Sequence, residues 1–251
     1  MNTETLNRRF GGMDRLYGAG SLARLAAAHA CVIGIGGVGS WAVEALARSG
    51  LGRLTLIDLD HVAESNLNRQ AQALEDTLGM AKVQAMAARV AAINPGCAVV
   101  CIEDFVRPDT AASLIPQDAW VVDAIDQADA KAALLAVCRV RDQFVVTTGC
   151  DGGRHDPAQI RVADLARTTH DPLAAGLRQR LRRDHGFPRE GDFGVPCVYS
   201  IEPMQRPVAC ATHDLNCGGY GSSVCVTAAF GLAAASRLLD AVLAAPDNPA
   251  L

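Results

Sequence analysis

Aromatic residues are scarce: six Phe, three Tyr and two Trp among 251 residues. A chain so poor in rings has few platforms on which single-stranded RNA bases could stack. Positive charge is not in surplus either. The net charge is −4, so any nucleic-acid contact must come from a local basic patch. Paired metal-binding cysteines are missing as well: the nine cysteines include no C-x-x-C, which argues against a zinc ribbon. Cys31, Cys101 and Cys138 lie inside apolar runs and read as buried free thiols. Cys197 and Cys217 lie in polar surroundings, where either a functional thiol or an incidental one could sit. No signal peptide is evident at the N-terminus, and a reducing, cytoplasmic setting is expected. The most apolar stretch, Val224 to Ala235, is too short to span a bilayer and is followed by Arg237 and Asp240. It reads as a buried helix.

What the sequence does have is strand–helix alternation. Ala30–Gly36, Arg53–Asp60, Cys97–Glu103, Ala119–Asp126 and Phe144–Gly149 read as apolar strands. Ser40–Gly50, Gly79–Pro95 and Ala128–Asp142 read as helices between them. In the second helix Met80, Val83, Met86, Val90 and Ile93 recur at three or four, and Pro95 closes it. Fully apolar strands alternating with helices predict an α/β fold: a Rossmann-like, mostly parallel sheet with helices on both faces. One domain over residues 1–251 is expected, with its core at about 25–168. Gln159–Ala166 alternates weakly and could add a strand, and Asp171–Gly186 is a basic helix. Phe187–Ser223, rich in Gly, Pro and Cys, reads as irregular, and Val224–Ala245 returns to helix.

Gly34, Gly36 and Gly39 form G-x-G-x-x-G between a strand and a helix. Glycines there permit a tight turn and let backbone N–H groups approach a phosphate at the helix N-terminus. Asp58 follows at the end of the next strand, where a carboxylate would accept from ribose hydroxyls. The residues after it go beyond a dinucleotide site. Asn66, Asn68, Arg69 and Gln70 are dense in donors, and Arg69 offers a planar fork to phosphate oxygens. Lys82 adds a point charge near a helix N-terminus, an awkward place for a cation unless an anion lies there. Asp126 ends another strand, where it could hold magnesium or act as a helix N-cap. Asp60 is left open between touching magnesium and capping the turn.

Together, "GIGGVGS", "LIDLDHVAESNLNRQ", "GMAKV", "INP" and "DAIDQADAKAAL" resemble the ubiquitin-activating-like superfamily of adenylating enzymes. "RRFGGMDRLYG", "VVTTGCDGG", "DPAQIRVADLART" and "DPLAAGLRQRLRRD" look like one subgroup, the tRNA threonylcarbamoyladenosine dehydratases. The resemblance implies ATP-dependent adenylation of the carboxylate of threonylcarbamoyl-adenosine beside the anticodon, then ring closure with loss of AMP. It implies that Gly37 packs against the nucleotide and that Asp58 holds the ribose. It places Asn66, Asn68 and Arg69 around the phosphates with Lys82 beside them, and Asp126 at metal and nucleotide with Gln127 following. Arg9 matches an arginine that relatives donate across a homodimer, with Arg8 and Arg15 as rivals.

ATP and magnesium are thus the implied cofactors and tRNA the implied partner. A monovalent cation in the 187–223 segment and association with cysteine desulfurase or sulfur-acceptor proteins stay open. Arg178, Arg182 and Arg183 are the candidate RNA contacts. Arg178 and Arg182 share a helix face, and the competing reading is a solvated helix with paired arginines. An activator of a small sulfur-carrier protein is the alternative function. Its relatives often carry zinc-binding cysteine pairs, which this chain lacks.

Overall fold

The computed structural model describes residues 3–205 and 220–245. Three short helices open the chain: α1 (Thr3–Phe10), α2 (Gly12–Tyr17) and α3 (Ser21–Ala27). An alternating run follows: β1 (His29–Ile33), α4 (Gly39–Arg48), β2 (Arg53–Ile57), α5 (Lys82–Ile93), β3 (Ala98–Ile102), α6 (Ala111–Leu114), β4 (Trp120–Asp123), α7 (Ala128–Val140) and β5 (Val145–Thr148). The chain then forms β6 (Ile160–Asp164), α8 (Pro172–Asp184), β7 (Pro196–Ser200) and α9 (Val224–Ala244). The sheet order is β3-β2-β1-β4-β5-β7-β6, parallel throughout except for the antiparallel β7–β6 pair. Its direction of growth reverses between β1 and β4, the kind of switch point at which open α/β sheets bind ligands.

Period-two alternation divides each strand between two cores. Ala30 and Val32 of β1 face a cluster with Leu46 of α4, Met86 of α5 and Phe230 of α9. Cys31 and Ile33 face the other, with Leu134 of α7 and Leu177 and Leu181 of α8. The Lys82–Ile93 helix is shorter than its hydrophobic pattern suggests. Met80 lies outside it and is exposed, because the His61–Ala81 bridge precedes the first turn.

Three expectations change. The 187–223 segment is not wholly irregular, since it contributes β7, inserted between β5 and β6. β7 opens on a proline and spans five residues among turn formers, so its pattern is faint. Cys197 is therefore a buried sheet residue, its thiol pushed up by burial, not a thiol in polar surroundings. Cys217 lies outside the described residues. Finally, the helix expected over 224–245 is present as α9, but at 21 residues it is by length and composition enough to cross a membrane, where its most apolar stretch reads as too short. It packs along α4 and against β4, β5 and β7, with Val226, Phe230, Ala234 and Leu238 fully buried in the core.

At the opposite end of the sheet, His29 is buried between Thr55 (Nε2 to Oγ1, 2.9 Å) and Asp118 (Nδ1 to Oδ1, 3.1 Å). Burial, aided by the nearby Arg53 charge, pulls its pKa down to about 4. An unfolded imidazole titrates near 6.5, so below that pH the unfolded chain binds a proton that the folded chain refuses. Stability is therefore expected to fall as pH drops from about 6.5 to about 4, with His29's contribution intact above that window. Denaturant midpoints across this range should fall less steeply for His29→Gln than for the parent chain. Equal slopes would clear the imidazole.

Candidate active site

A cavity of about 370 Å³ opens over the C-terminal ends of the parallel strands. Gly34, Gly36, Gly37 and Val38 follow β1, Asp58 and Asp60 follow β2, and Ala124–Gln127 follow β4, all lining it. Asn66, Arg69 and Gln70 come from the long connection after β2, and Lys82 from the first turn of α5. Ligand sites gather at these strand ends because neighbouring loops diverge there and leave a crevice.

The glycines do three different jobs. Gly34 sits at φ +84°, and a β-carbon there would lie 2.7 Å from the Ala124 carbonyl oxygen. Gly39 permits the helix start, since its β-carbon would collide with the Gly34 carbonyl. It packs against the turn and does not line the cavity. Gly36 is different: a β-carbon would meet no protein atom within 4 Å. Gly36 lines the cavity, so the backbone is bare there although no protein contact requires it.

Asp58 is aimed by two backbone donors, Ile35 N–H to Oδ2 (2.6 Å) and Asp60 N–H to Oδ1 (2.9 Å). Burial raises its pKa, opposed by the Lys82 charge and by those two hydrogen bonds. Its oxygens keep lone pairs free to accept further donors. Lys82 is nearly buried and reaches Asp60 Oδ2 at 2.7 Å. The anion that relieves its awkward place at a helix N-terminus is, in the protein itself, the Asp60 carboxylate. Asp60 is thus a lysine partner whose own side chain stays more than half exposed. Asn66 lines the cavity while its Oδ1 accepts from Ala63 N–H at 3.1 Å. Arg69 Nη1 donates to Ser65 O (2.7 Å) and to Asn68 Oδ1 (2.9 Å). Asn68 does not line the cavity. It braces Arg69 and donates to Ser222 O at 2.9 Å. Asp126 is exposed on the rim and is not the N-cap of α7, a position that Gln127 holds.

Two groups stand apart. Arg9 lies off its own chain's cavity, donating to Ile93 O at the far end of α5. The arginines of α8 are largely occupied. Arg178 bonds Thr168 Oγ1, Arg180 pairs with Asp129, Arg183 grips Asp184, and Arg182 lies 5.1 Å over the Phe193 ring. This is closer to the paired-helix reading than to a free basic stripe.

Several cavity residues escape the sequence reading: Asp104, Phe105 and Val106 after β3, and Asp151 after β5. The signal that would find them is positional, since each follows a parallel strand's C-terminal end. With them, the lining holds five carboxylates (Asp58, Asp60, Asp104, Asp126, Asp151) against two cations (Arg69, Lys82).

A glycine loop at the switch point, with a carboxylate, a lysine and an arginine lining the same cavity, is the arrangement of a nucleotide-binding enzyme. Residues 12–250 match the ThiF family model, and the chain belongs to the ThiF family. It is 47% identical to the tRNA threonylcarbamoyladenosine dehydratase of Escherichia coli (strain K12), covering 96% of both chains. It is 45% identical to the Haemophilus influenzae enzyme of the same name, over 96% of this chain and 95% of that one. The crystal structure of the Escherichia coli dehydratase in complex with ATP superposes with a TM-score of 0.88 at 47% identity, covering 97% of each chain. By contrast, similarity to the molybdopterin-synthase adenylyltransferase of Salmonella typhimurium, 36% identical, covers only 44% of this chain and 45% of that one.

Proposed function

We propose that this protein adenylates the carboxylate of N6-threonylcarbamoyladenosine beside the anticodon of tRNA and then closes it to the cyclic form. The observation that carries this reading is end-to-end likeness to dehydratases of that name, together with an adenylating pocket. A carboxylate resists attack because its leaving group would be oxide. Its oxygen therefore attacks the α-phosphorus of ATP and expels diphosphate. A nucleophile within the same threonylcarbamoyl group then attacks the acyl carbon, loses its proton and displaces AMP. The net change in the nucleoside is loss of water.

Asp58 would hold the ribose, the bare backbone at Gly36 and Gly37 the phosphates, and Arg69 and Lys82 the charge that develops on the expelled diphosphate. Five carboxylates against two cations make a poor receptacle for a triphosphate alone. That imbalance fits magnesium held by Asp126, an oxygen donor on the rim, because magnesium commonly takes one or two carboxylates plus substrate phosphates. Magnesium would supply Lewis-acid stabilisation of the phosphates. The imbalance also fits an arginine from a second subunit, with Arg9 as the candidate, and hence a homodimer. Arg178, Arg182 and Arg183 would meet tRNA phosphates only after exchanging their present partners. A cytoplasmic location accords with a tRNA substrate.

The test is direct. With ATP and magnesium, tRNA carrying threonylcarbamoyl-adenosine should yield a nucleoside lighter by one water, with one AMP per nucleoside. AMP formation only on a carrier protein's C-terminal glycine would replace this reading with the alternative.

A further inference from the structure

One buried charge pair lies beneath the site and takes no direct part in it. Lys131, in α7, is wholly buried, on a helix whose Ala130, Ala132, Leu134 and Leu135 are buried as well, and Asp123, at the end of β4, is wholly buried too. An ammonium in such a seam is tolerated only when its donors are matched. Nζ donates to Asp123 Oδ2 at 3.0 Å and to the Ile125 carbonyl at 2.8 Å. Asp123 in turn accepts the Thr147 hydroxyl (2.6 Å) and, through Oδ1, the Ile125 N–H (3.2 Å). Both backbone polar groups of Ile125 are thus tied to this one pair.

The Ile125 carbonyl shares a peptide plane with the Asp126 N–H. In a trans peptide the two point in opposite directions. With the carbonyl drawn down to the ammonium, the Asp126 N–H is turned the other way, out of the seam and toward the cavity that Ile125, Asp126 and Gln127 line. A flip of this peptide would instead aim a carbonyl oxygen at the place where anionic oxygens must come. Building on the function proposed above, we infer that Lys131 is a positioning residue. It locks the 125–126 peptide so that the Asp126 N–H and carboxylate both serve the reacting phosphates.

K131M alone would strand a buried carboxylate, so the informative protein is the neutral D123N/K131M pair. Expected are a folded chain by circular dichroism, ATP affinity within about threefold of the parent, and kcat for AMP release lower by about a hundredfold. A crystal structure of the neutral pair should show the 125–126 peptide turned over or in two orientations. A folded pair with near-parental kcat, or with the peptide unmoved, overturns the inference. So does a loss of ATP affinity that parallels the loss of kcat. If the parent chain does not turn over on modified tRNA, the functional reading falls, and the peptide's orientation still decides this one.

Discussion

Lys82→Ala is expected to lower kcat/KM for ATP-dependent AMP release by about three orders of magnitude, with only a small loss of stability. The two effects part because Lys82's protein partner is half in solvent. Its ammonium is nearly buried, but the Asp60 carboxylate it meets is 56% exposed and can be rehydrated once the lysine is gone. What water cannot replace, in the role proposed for Lys82, is a fixed cation at the phosphates. An ammonium at a helix N-terminus is opposed by the helix dipole, and one carboxylate only offsets that, leaving further N–H donors for a polyanion. Lys82→Arg should not rescue, because a guanidinium is wider than the nearly closed space the ammonium occupies. Steady-state kinetics and thermal melts on the same preparations check both halves. If Lys82→Ala kept more than about a tenth of the parental rate, far short of the loss expected for a phosphate-stabilising group, Lys82 would be a structural partner of Asp60 and nothing more.

Asp171→Ala should cost about 3–5 kcal/mol of stability by denaturant unfolding. Asp171 and Arg154 form an ion pair in which both side chains are wholly buried. Asp171 also caps α8 through Ala174 N–H at 2.9 Å and accepts from Cys150 N–H at 3.0 Å. Its fit is close: a β-carbon on Gly149 would lie 2.1 Å from Oδ2, so Gly149 is glycine because Asp171 is there. Removing the carboxylate takes this counter-charge from the buried Arg154 guanidinium, which keeps the Cys150, His170 and Glu202 carbonyls as acceptors, and uncaps a 13-residue helix in one step. Asp171→Asn should cost less, since its one amide oxygen keeps the cap, though its NH2 cannot accept from Cys150 N–H and Arg154 as Oδ2 does. The loop held by this pair carries Asp151 to the cavity, so activity should fall along with stability. A loss below about 1 kcal/mol, typical of an exposed pair, would mean that the guanidinium finds water after all.

The parts of this molecule that were legible in its sequence are those set by short-range rules. Strands β1, β2, β4 and β5 declare themselves as apolar runs, and α4, α5 and α7 as helical periods between them, because burial leaves a pattern in consecutive residues. β3 reads as an apolar run too, although it is an edge strand with Val100 half exposed. Gly34, Gly36 and Asp58 were legible for the same reason, since a strand, a turn and a helix start lie within one stretch. β7 was not, because its burial depends on β5 and β6, neither of which adjoins it in the chain. The partners of the α8 arginines were hidden in a like way. Counting them gives a basic helix, but Asp129, Thr168 and Phe193, which engage three of them, come from other segments. The cavity walls after β3 and β5 required the strand order, not the residue types.

That strand order has a consequence for how the protein is made. β6 is complete well before β7, yet β7 is what joins it to the sheet. Until the ribosome has released residues past Ser200, the nucleotide-binding half ends at β5 with an open hydrogen-bonding edge, and β6 has nothing to pair with. Such an edge is a template for wrong partners. The core beside it is unfinished too, awaiting Val198 of β7 and Phe230 of α9. The glycine loop is made early, but the sheet that holds it becomes secure only when the last third of the chain arrives.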